Sequence, residues 1–449
     1  MKQNNLKKYA ALLLAVLLTF SLAACAADAS SSTQTNASAS AKTGTQTQSN
    51  TQTQTSTQAQ TNTQASAGAS AAAASASGSG AAVVTTAAVS SNGAIDASEL
   101  FSKRDLKQSA DLSEATAYTV SDGKDVSITA EGVYVLSGSA KNVTIVVDAG
   151  DEDKVQLVLD GLNVTNDDSP VIYVKNADKV FVTTAEGTEN TLSVTGTFTA
   201  DGSTNTDAVI FSRDDLVLNG LGTLNISSTD NGVSCKDDLK ITGGVLNVSA
   251  ADACIEANDS ISVADGTITV KSSKKDGLHA ENEDDDKEGW IYICGGTLNV
   301  TAADDGIHAV SIIQIDGGTI NVTAAEGIEA TWVQINDGEI TISATDDGIN
   351  GGQKSKSYTV CVEINGGSLS ITMGQGDTDG IDTNGNLIIT GGTISVNAQS
   401  PFDYDGTLTH TGGTIIVNGT ETDQITNQFG GGMGGGPGGQ GGFGGGRRP

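Results

Sequence analysis

The chain has 449 residues and carries 54 acidic against 23 basic side chains, a formal net charge of −31, with 56 glycines and only four prolines. That sign excludes nucleic acid as a natural partner, because phosphate contacts need clustered Lys and Arg, and it repels acidic ligands unless a cation intervenes. Aromatic residues make up 4% of the chain, so a core of any size must be aliphatic.

Residues 1–25, MKQNNLKKYAALLLAVLLTFSLAAC, combine three lysines, an apolar run at 10–18 and small residues before Cys25. This reads as a secretion leader, too short to span a membrane once processed. Leu22-Ala23-Ala24-Cys25 resembles a bacterial lipobox, which implies diacylglyceride on Cys25 and an anchor at the outer face of the cell membrane. Residues 26–92 are almost wholly Ala, Ser, Thr, Gln and Asn. Such a segment cannot bury enough apolar surface to offset its ordering entropy, and it reads as a disordered tether. Residues 426–449 end in a glycine-rich stretch with Arg447 and Arg448, read as a second flexible tail.

The segment 93–425 between them reads as one all-β domain. Its first part, DASELFSKRDLKQSADLSEA from Asp96, has a spacing compatible with a helical turn or two capping the open N-terminal end of the core. Alternating apolar stretches such as VQLVLDGLNVT and DAVIFSRDDLVLNG follow at irregular intervals up to Leu218. A regular phrase then takes over: LGTLNIS, GGVLNVS, DGTITVK, GGTLNVT, GGTINVT, DGEITIS, GGSLSIT, GGTISVN and GGTIIVN. The second glycine of each copy falls at 222, 244, 266, 296, 318, 338, 367, 392 and 413, so the period is just above 20 residues with two longer intervals. Within each copy apolar and small polar residues alternate, the signature of a strand with one buried face.

One strand signal per period of this length predicts a right-handed parallel β-helix, each coil stacked ~4.8 Å from the next. A single coil cannot stand alone. Burying roughly six aliphatic side chains yields on the order of 9–18 kcal/mol, while ordering ~20 residues costs at least as much. A β-sandwich or propeller suits the intervals less well, since blades need four hairpin-linked strands per ~40 residues.

A second phrase follows each strand: TDNGVS, ADACIE, KDGLHA, DDGIHA, AEGIEA, DDGING and TDGIDT. It places Asp230, Asp252, Asp276, Asp305, Glu326, Asp347 and Asp379 at one corner of successive coils. Asp-Gly is also a good turn dipeptide in its own right. A ladder of like charges, however, calls for screening, protonation or a shared cation, and oxygen donors favour Ca²⁺. The candidate metal ligands are Asp304, Asp305, Glu326, Asp346, Asp347, Asp377, Asp379 and Asp382. Beside this corner runs an outward row of Ser234, Glu256, His279, His308, Glu329, Asn350 and Asp382, whose histidines suit sugar hydrogen bonding better than catalysis.

In the next strand, WIYICGG, IIQIDGG and WVQINDG align Trp290, Ile312 and Trp332 at one outward position. Tryptophans in a row offer π-faces on which sugar rings stack, unless a loop or the tether covers them as a satellite core. Both long intervals carry their extra residues after the Asp-Gly phrase, ENEDDDKEG from Glu281 and GGQKSKS from Gly351. These loops are expected to wall a groove floored by His308, Glu329, Trp290 and Trp332. Cys235 and Cys254 fall in adjacent coils and could bridge or simply pack as thiols; no CxxC pair is present.

GGTLNVTAADDGIHA and its companions, behind a lipobox and polar tether and ahead of a glycine-rich tail, resemble a bacterial cell-surface family of cellulose- and acid-sugar-binding parallel β-helix proteins. The resemblance covers residues 110–420 and implies a calcium-containing solenoid similar to pectate-lyase-type polysaccharide lyases. It implies a monomeric, non-catalytic surface protein that binds polysaccharide, with calcium bridging uronate carboxylates. A calcium-dependent lyase is the chief rival. Its chemistry needs a basic side chain placed as proton acceptor, and between Glu288 and Gly446 the only lysines are Lys354 and Lys356, in a flexible-looking loop. An adhesin or spacer is the third reading.

Overall fold

The structure is a computed structural model describing residues 94–375 and 378–427. Cys25, the whole of the tether, Asp377 and most of the glycine-rich tail lie outside the described residues.

Thirty-two strands are hydrogen-bonded into one sheet, and among the described residues there is no helix. The regular phrase forms the backbone of this arrangement. Thr297–Thr301 pairs in parallel with Thr319–Ala324, which pairs with Glu339–Ala344, which pairs with Ser368–Met373, always one repeat further on. The Asp-Gly phrase and the strand after it do the same: Ile307 lies opposite Ile328 and then Ile349, while Ile313 lies opposite Val333 and then Val362. Each repeat thus contributes three strand segments. Pairing between named strands is parallel throughout until the end, where Thr414–Val417 turns back on Thr420–Glu421 in an antiparallel pair. Hairpin-built sandwiches and propellers are excluded by that pattern.

Alternation puts Leu298, Val300, Ile307, Ala309, Ile313 and Ile315 of one repeat inside, and their counterparts above and below join a single aliphatic cluster running from Val120 to Ile415. β-branched residues suit this use, since their stiff side chains pack against identical neighbours along a ladder. Outside, asparagines stack in pairs, with Asn321 Nδ2 donating to Asn299 Oδ1 at 3.0 Å and Asn365 Nδ2 to Asn336 Oδ1 at 2.8 Å.

Two glycine positions are set by geometry. Gly318 adopts φ 98°, a turn conformation that side chains resist. Gly327 of the Asp-Gly phrase has no such φ; instead, a Cβ there would stand 2.3 Å from the Gly348 carbonyl oxygen of the next repeat. The phrase is therefore more than a turn dipeptide, because its glycine lets neighbouring repeats approach.

The segment after Asp96 differs from expectation. It forms turns, and it lies along the outer face of the sheet rather than over the end of the core. Ser98 N donates to Asp96 Oδ1, Ser102 N to Asp105 Oδ2 and Ser113 N to Asp111 Oδ1, local bonds that compete with helix. Other polar groups of the segment bond to the sheet. Ala94 N donates to Gln334 Oε1, Ile95 N to Gln314 Oε1, Lys240 Nζ to the Leu100 carbonyl and Asn219 Nδ2 to the Asp105 carbonyl. The strap thus runs backward across successive repeats, from Gln334 to Asn219. Cys235 and Cys254 are free buried thiols, and Cys235 lies opposite Ala257 instead.

Candidate functional site

Register brings the outward row together as read from the sequence. Ser234 lies opposite Glu256, Glu256 opposite His279, His279 opposite His308, His308 opposite Glu329, Glu329 opposite Asn350 and Asn350 opposite Asp382. The column also continues where the repeat is irregular, through Phe211 and Tyr173 at one end and Asp403 at the other. The two aromatic rings meet edge to face with centroids 5.7 Å apart. Only the alternation in VIYVKN and DAVIFSRDD hinted at them.

The column is half-buried, and its polar groups interlock with the acidic corner. His279 Nδ1 stands 2.6 Å from Asp276 Oδ2, and His308 Nδ1 stands 2.7 Å from Asp305 Oδ2 and 3.4 Å from Glu329 Oε2. The two imidazoles are in contact at a tilt of 49°, with centroids 4.8 Å apart. Asp305 and Glu329 are 6% and 5% exposed. Glu329 Oε1 accepts from Asn350 Nδ2 at 3.1 Å and pairs with Lys354 Nζ at 2.7 Å. Asp276 Oδ1 accepts the Asp305 backbone N–H at 3.0 Å, tying one repeat to the next.

Crowding shows in the proton affinities. Burial, then the charges of Glu329, Asp305 and Asp347, push the Glu326 carboxyl up to about 7, against a hydrogen bond from Asn350. Burial together with Asp382, Asp379 and Asp346 pushes Asp347 up to about 7, and burial with Asp379 and Asp403 pushes Asp382 up to about 6. Burial opposes charge on His279, but the hydrogen bond and charge of Asp276, with Glu281 and Glu256, raise its affinity for a proton overall. Lys354 is likewise raised: burial opposes its charge, and the hydrogen bond and charge of Glu329 outweigh burial.

Among the described residues, three groups have ligand atoms all within 4.8 Å of one another: Asp276–His279–His308, Asp305–His308–Glu329 and Asp215–Asp237–Asp238. Of the carboxylates expected to bind metal, only Asp305 belongs to one of them. Glu326, Asp347, Asp379 and Asp382 are half-buried along the same corner, with Asp379 N donating to Asp347 Oδ1 at 3.2 Å, while Asp304 and Asp346 are exposed. The third group went unread, although SRDDL and CKDDL repeat its aspartates one interval apart. Lys179 pairs with its Asp215 at 3.1 Å.

The tryptophan row is also in register, since Ile291 lies opposite Ile313 and Ile312 opposite Trp332. It does not share an open floor with the histidines. Trp290 packs against the cluster of Tyr292, Cys294 and the strap's Ala97, which the strap's Leu100 and Phe101 also join, and its Nε1 donates to Glu288 at 3.0 Å. Trp332 is half-buried, and Ile312 between the two is 2% exposed. The two inserted loops do not stand apart as walls. Ser357 Oγ donates to Asp286 Oδ1 at 2.7 Å, Ser355 Oγ to the Asp286 carbonyl and Tyr358 OH to the Lys287 carbonyl at 3.3 Å. Joined, they cross above Thr331, whose Oγ1 accepts Lys354 N and Ser355 N at 2.9 and 2.8 Å. Lys354 is therefore held in place beside Glu329, contrary to the expected loose loop.

A repeat sheet that is parallel up to its last strand pair, with like residues stacked in outward columns, defines a class of repeat scaffold in which each repeat contacts its neighbours. Within it the chain has a family: residues 122–377 and again 324–427 match the carbohydrate-binding domain-containing proteins, and the chain belongs to that family. A carbohydrate-binding domain-containing protein of Acetivibrio thermocellus is 40% identical over 196 residues, which is 43% of this chain and 68% of that one. Among solved structures, a polysaccharide lyase-like protein from C. thermocellum, in its gadolinium derivative, shares 31% identity over 50% of this chain and 96% of its own, with a TM-score of 0.45.

Proposed function

We propose that the chain is a surface-anchored, non-catalytic polysaccharide-binding protein, held at the outer face of the cell membrane through Cys25, whose sheet winds as a right-handed parallel β-helix. The winding is supported by three parallel strand segments per repeat and by the right-handed preference of parallel crossovers. The observation that carries the binding reading is the column from Glu256 to Asp382. It repeats hydrogen-bonding groups at strand spacing, ~4.8 Å, along one line, which matches an extended polymer better than a compact ligand. Membership of the carbohydrate-binding domain-containing family supports the same class of partner.

Calcium fits only part of the corner. At Asp305–His308–Glu329 a ring nitrogen stands among the oxygens, a donor set that calcium disfavours. At Glu326, Asp347, Asp379 and Asp382 the charged donors are all oxygen, and the raised affinities of Glu326, Asp347 and Asp382 are the mark of carboxylates lacking a counter-charge. No three of these four converge within 4.8 Å as they stand, so side-chain movement would bring them onto calcium, which when bound supplies positive charge toward the carboxylates of an acidic polysaccharide. A lyase reading has Lys354 in its favour by position, but the same Glu329 contact that fixes it also keeps it an ammonium rather than a base.

Retention on polygalacturonate and on cellulose, with and without chelator, tests the proposal. Retention that Glu329→Gln leaves unchanged on both matrices would remove the column from the reading. Release of unsaturated products, followed by ultraviolet absorbance, would replace the binder with the lyase.

A further inference from the structure

The donor set that turns calcium away has its own preference. We propose that Asp305, His308 and Glu329 form a binding site for a borderline divalent metal of the zinc or cobalt type, distinguished by its ring nitrogen from the oxygen-only carboxylates that begin at the neighbouring Glu326. The inference does not rest on polysaccharide binding.

Three observations carry it. First, the three ligand atoms already converge: His308 Nδ1 lies 2.7 Å from Asp305 Oδ2 and 3.4 Å from Glu329 Oε2, close to the ~3.3 Å edge of a tetrahedron built on metal bonds of about 2.0–2.2 Å. Little movement separates this arrangement from coordination. Second, the ligands sit on adjacent strands of a parallel ladder, Asp305 and His308 on Asp305–Ile315 and Glu329 opposite His308 on Glu326–Ile335, so the backbone supplies the rigidity. Third, outer partners orient them. The Asp305 backbone N–H is held by Asp276, and Glu329 Oε1 is held by Asn350 Nδ2, leaving Oε2 toward the histidine. The bond on Glu329 is of the kind that metal-ligating carboxylates characteristically have, and the bond from Asp276 fixes the main chain that carries Asp305.

One imidazole with two carboxylates leaves at least one coordination position open for water or for a ligand oxygen. Lys354, 2.7 Å from Glu329 Oε1, is the competing cation. Its ammonium lowers the negative charge that a metal would meet, so the site is predicted to strengthen when that charge is removed.

The test uses the full chain, stripped with chelator and titrated with Co²⁺ in a background of excess Ca²⁺, followed by visible d–d absorption and then by displacement with Zn²⁺. The expected result is one tight equivalent with nitrogen-containing coordination, displaced by Zn²⁺ and untouched by about 100-fold Ca²⁺. His308→Ala should weaken Co²⁺ at least about tenfold. Lys354→Met, which leaves all three ligands intact, should bind Co²⁺ about threefold more tightly or better. Binding that Ca²⁺ abolishes, or a folded His308→Ala protein with unchanged affinity, would overturn the assignment. Should His308→Ala fail to fold, Lys354→Met decides: unchanged or weaker Co²⁺ binding in that variant overturns it too.

Discussion

Asp105 joins the strap to two lysines of the sheet. Its side chain is 1% exposed, and it faces Lys179 at 3.8 Å and Lys240 at 4.0 Å, themselves 14% and 10% exposed. At an effective dielectric near 20, each such pair attracts by about 4 kcal/mol before desolvation is counted. Asp105→Asn keeps the shape and removes the charge. Lys179 retains Asp215 at 3.1 Å, whereas Lys240 keeps the Leu100 carbonyl at 2.7 Å and the charge of Asp215, with no ion pair in contact. Breaking one partner of a buried pair costs about 3 kcal/mol at the low end of the usual range. That loss falls on the strap, because the aliphatic cluster inside the sheet is untouched. Opening of residues 94–108 should therefore rise about 100-fold, at about 1.4 kcal/mol per factor of ten. Amide hydrogen exchange read by mass spectrometry reports it: peptides over the strap lose protection by that factor, and peptides over Thr319–Ala324 stay unchanged. A change in strap protection below about threefold would refute the reasoning.

Gly327→Ala should destabilise the chain by roughly 3 kcal/mol or more, since its Cβ would meet both the Gly348 carbonyl oxygen and Ile342 Cγ2, and chemical unfolding measures it. Glu326 and Asp347 bind protons more tightly folded than unfolded, so stability falls as pH rises from about 4 through about 7 and then levels off; thermal melts across that window should show the decline, and Glu326→Gln should flatten it. A stability that climbs through the same window would contradict the crowding described above. Trp290→Ala, lying under the strap, should speed strap exchange and leave retention on polysaccharide within about twofold, while Glu329→Gln should cut retention about tenfold. Ser357→Ala should loosen the junction of the two inserted loops, seen as faster proteolysis at 281–289 and 352–358.

Much of the column was legible beforehand because a parallel ladder transmits register. Once Ile307, Ile328 and Ile349 are aligned as strand interiors, the residue after each must share a line, and His308, Glu329 and Asn350 do. The same reasoning stopped where the interval became irregular, so Tyr173 and Phe211 were missed. At the acidic corner, alignment places Asp305, Glu326 and Asp347 in sequence but does not say which side chains turn toward a histidine. The strap was misread as a helical cap because polar spacing is ambiguous in a segment whose own Ser and Asp side chains bond its backbone.

Periodicity by itself determined the all-β character, the repeat length, the buried aliphatic positions and the outward column, because each depends only on neighbours one repeat away. Tertiary structure alone decided what lies across that periodic surface. The strap along Gln334, Gln314 and Lys240 and the junction of the two inserted loops join groups whose separations in the chain follow no period. Contacts of that kind are chosen by packing and by the need to satisfy buried polar groups, and both act only once the sheet is assembled.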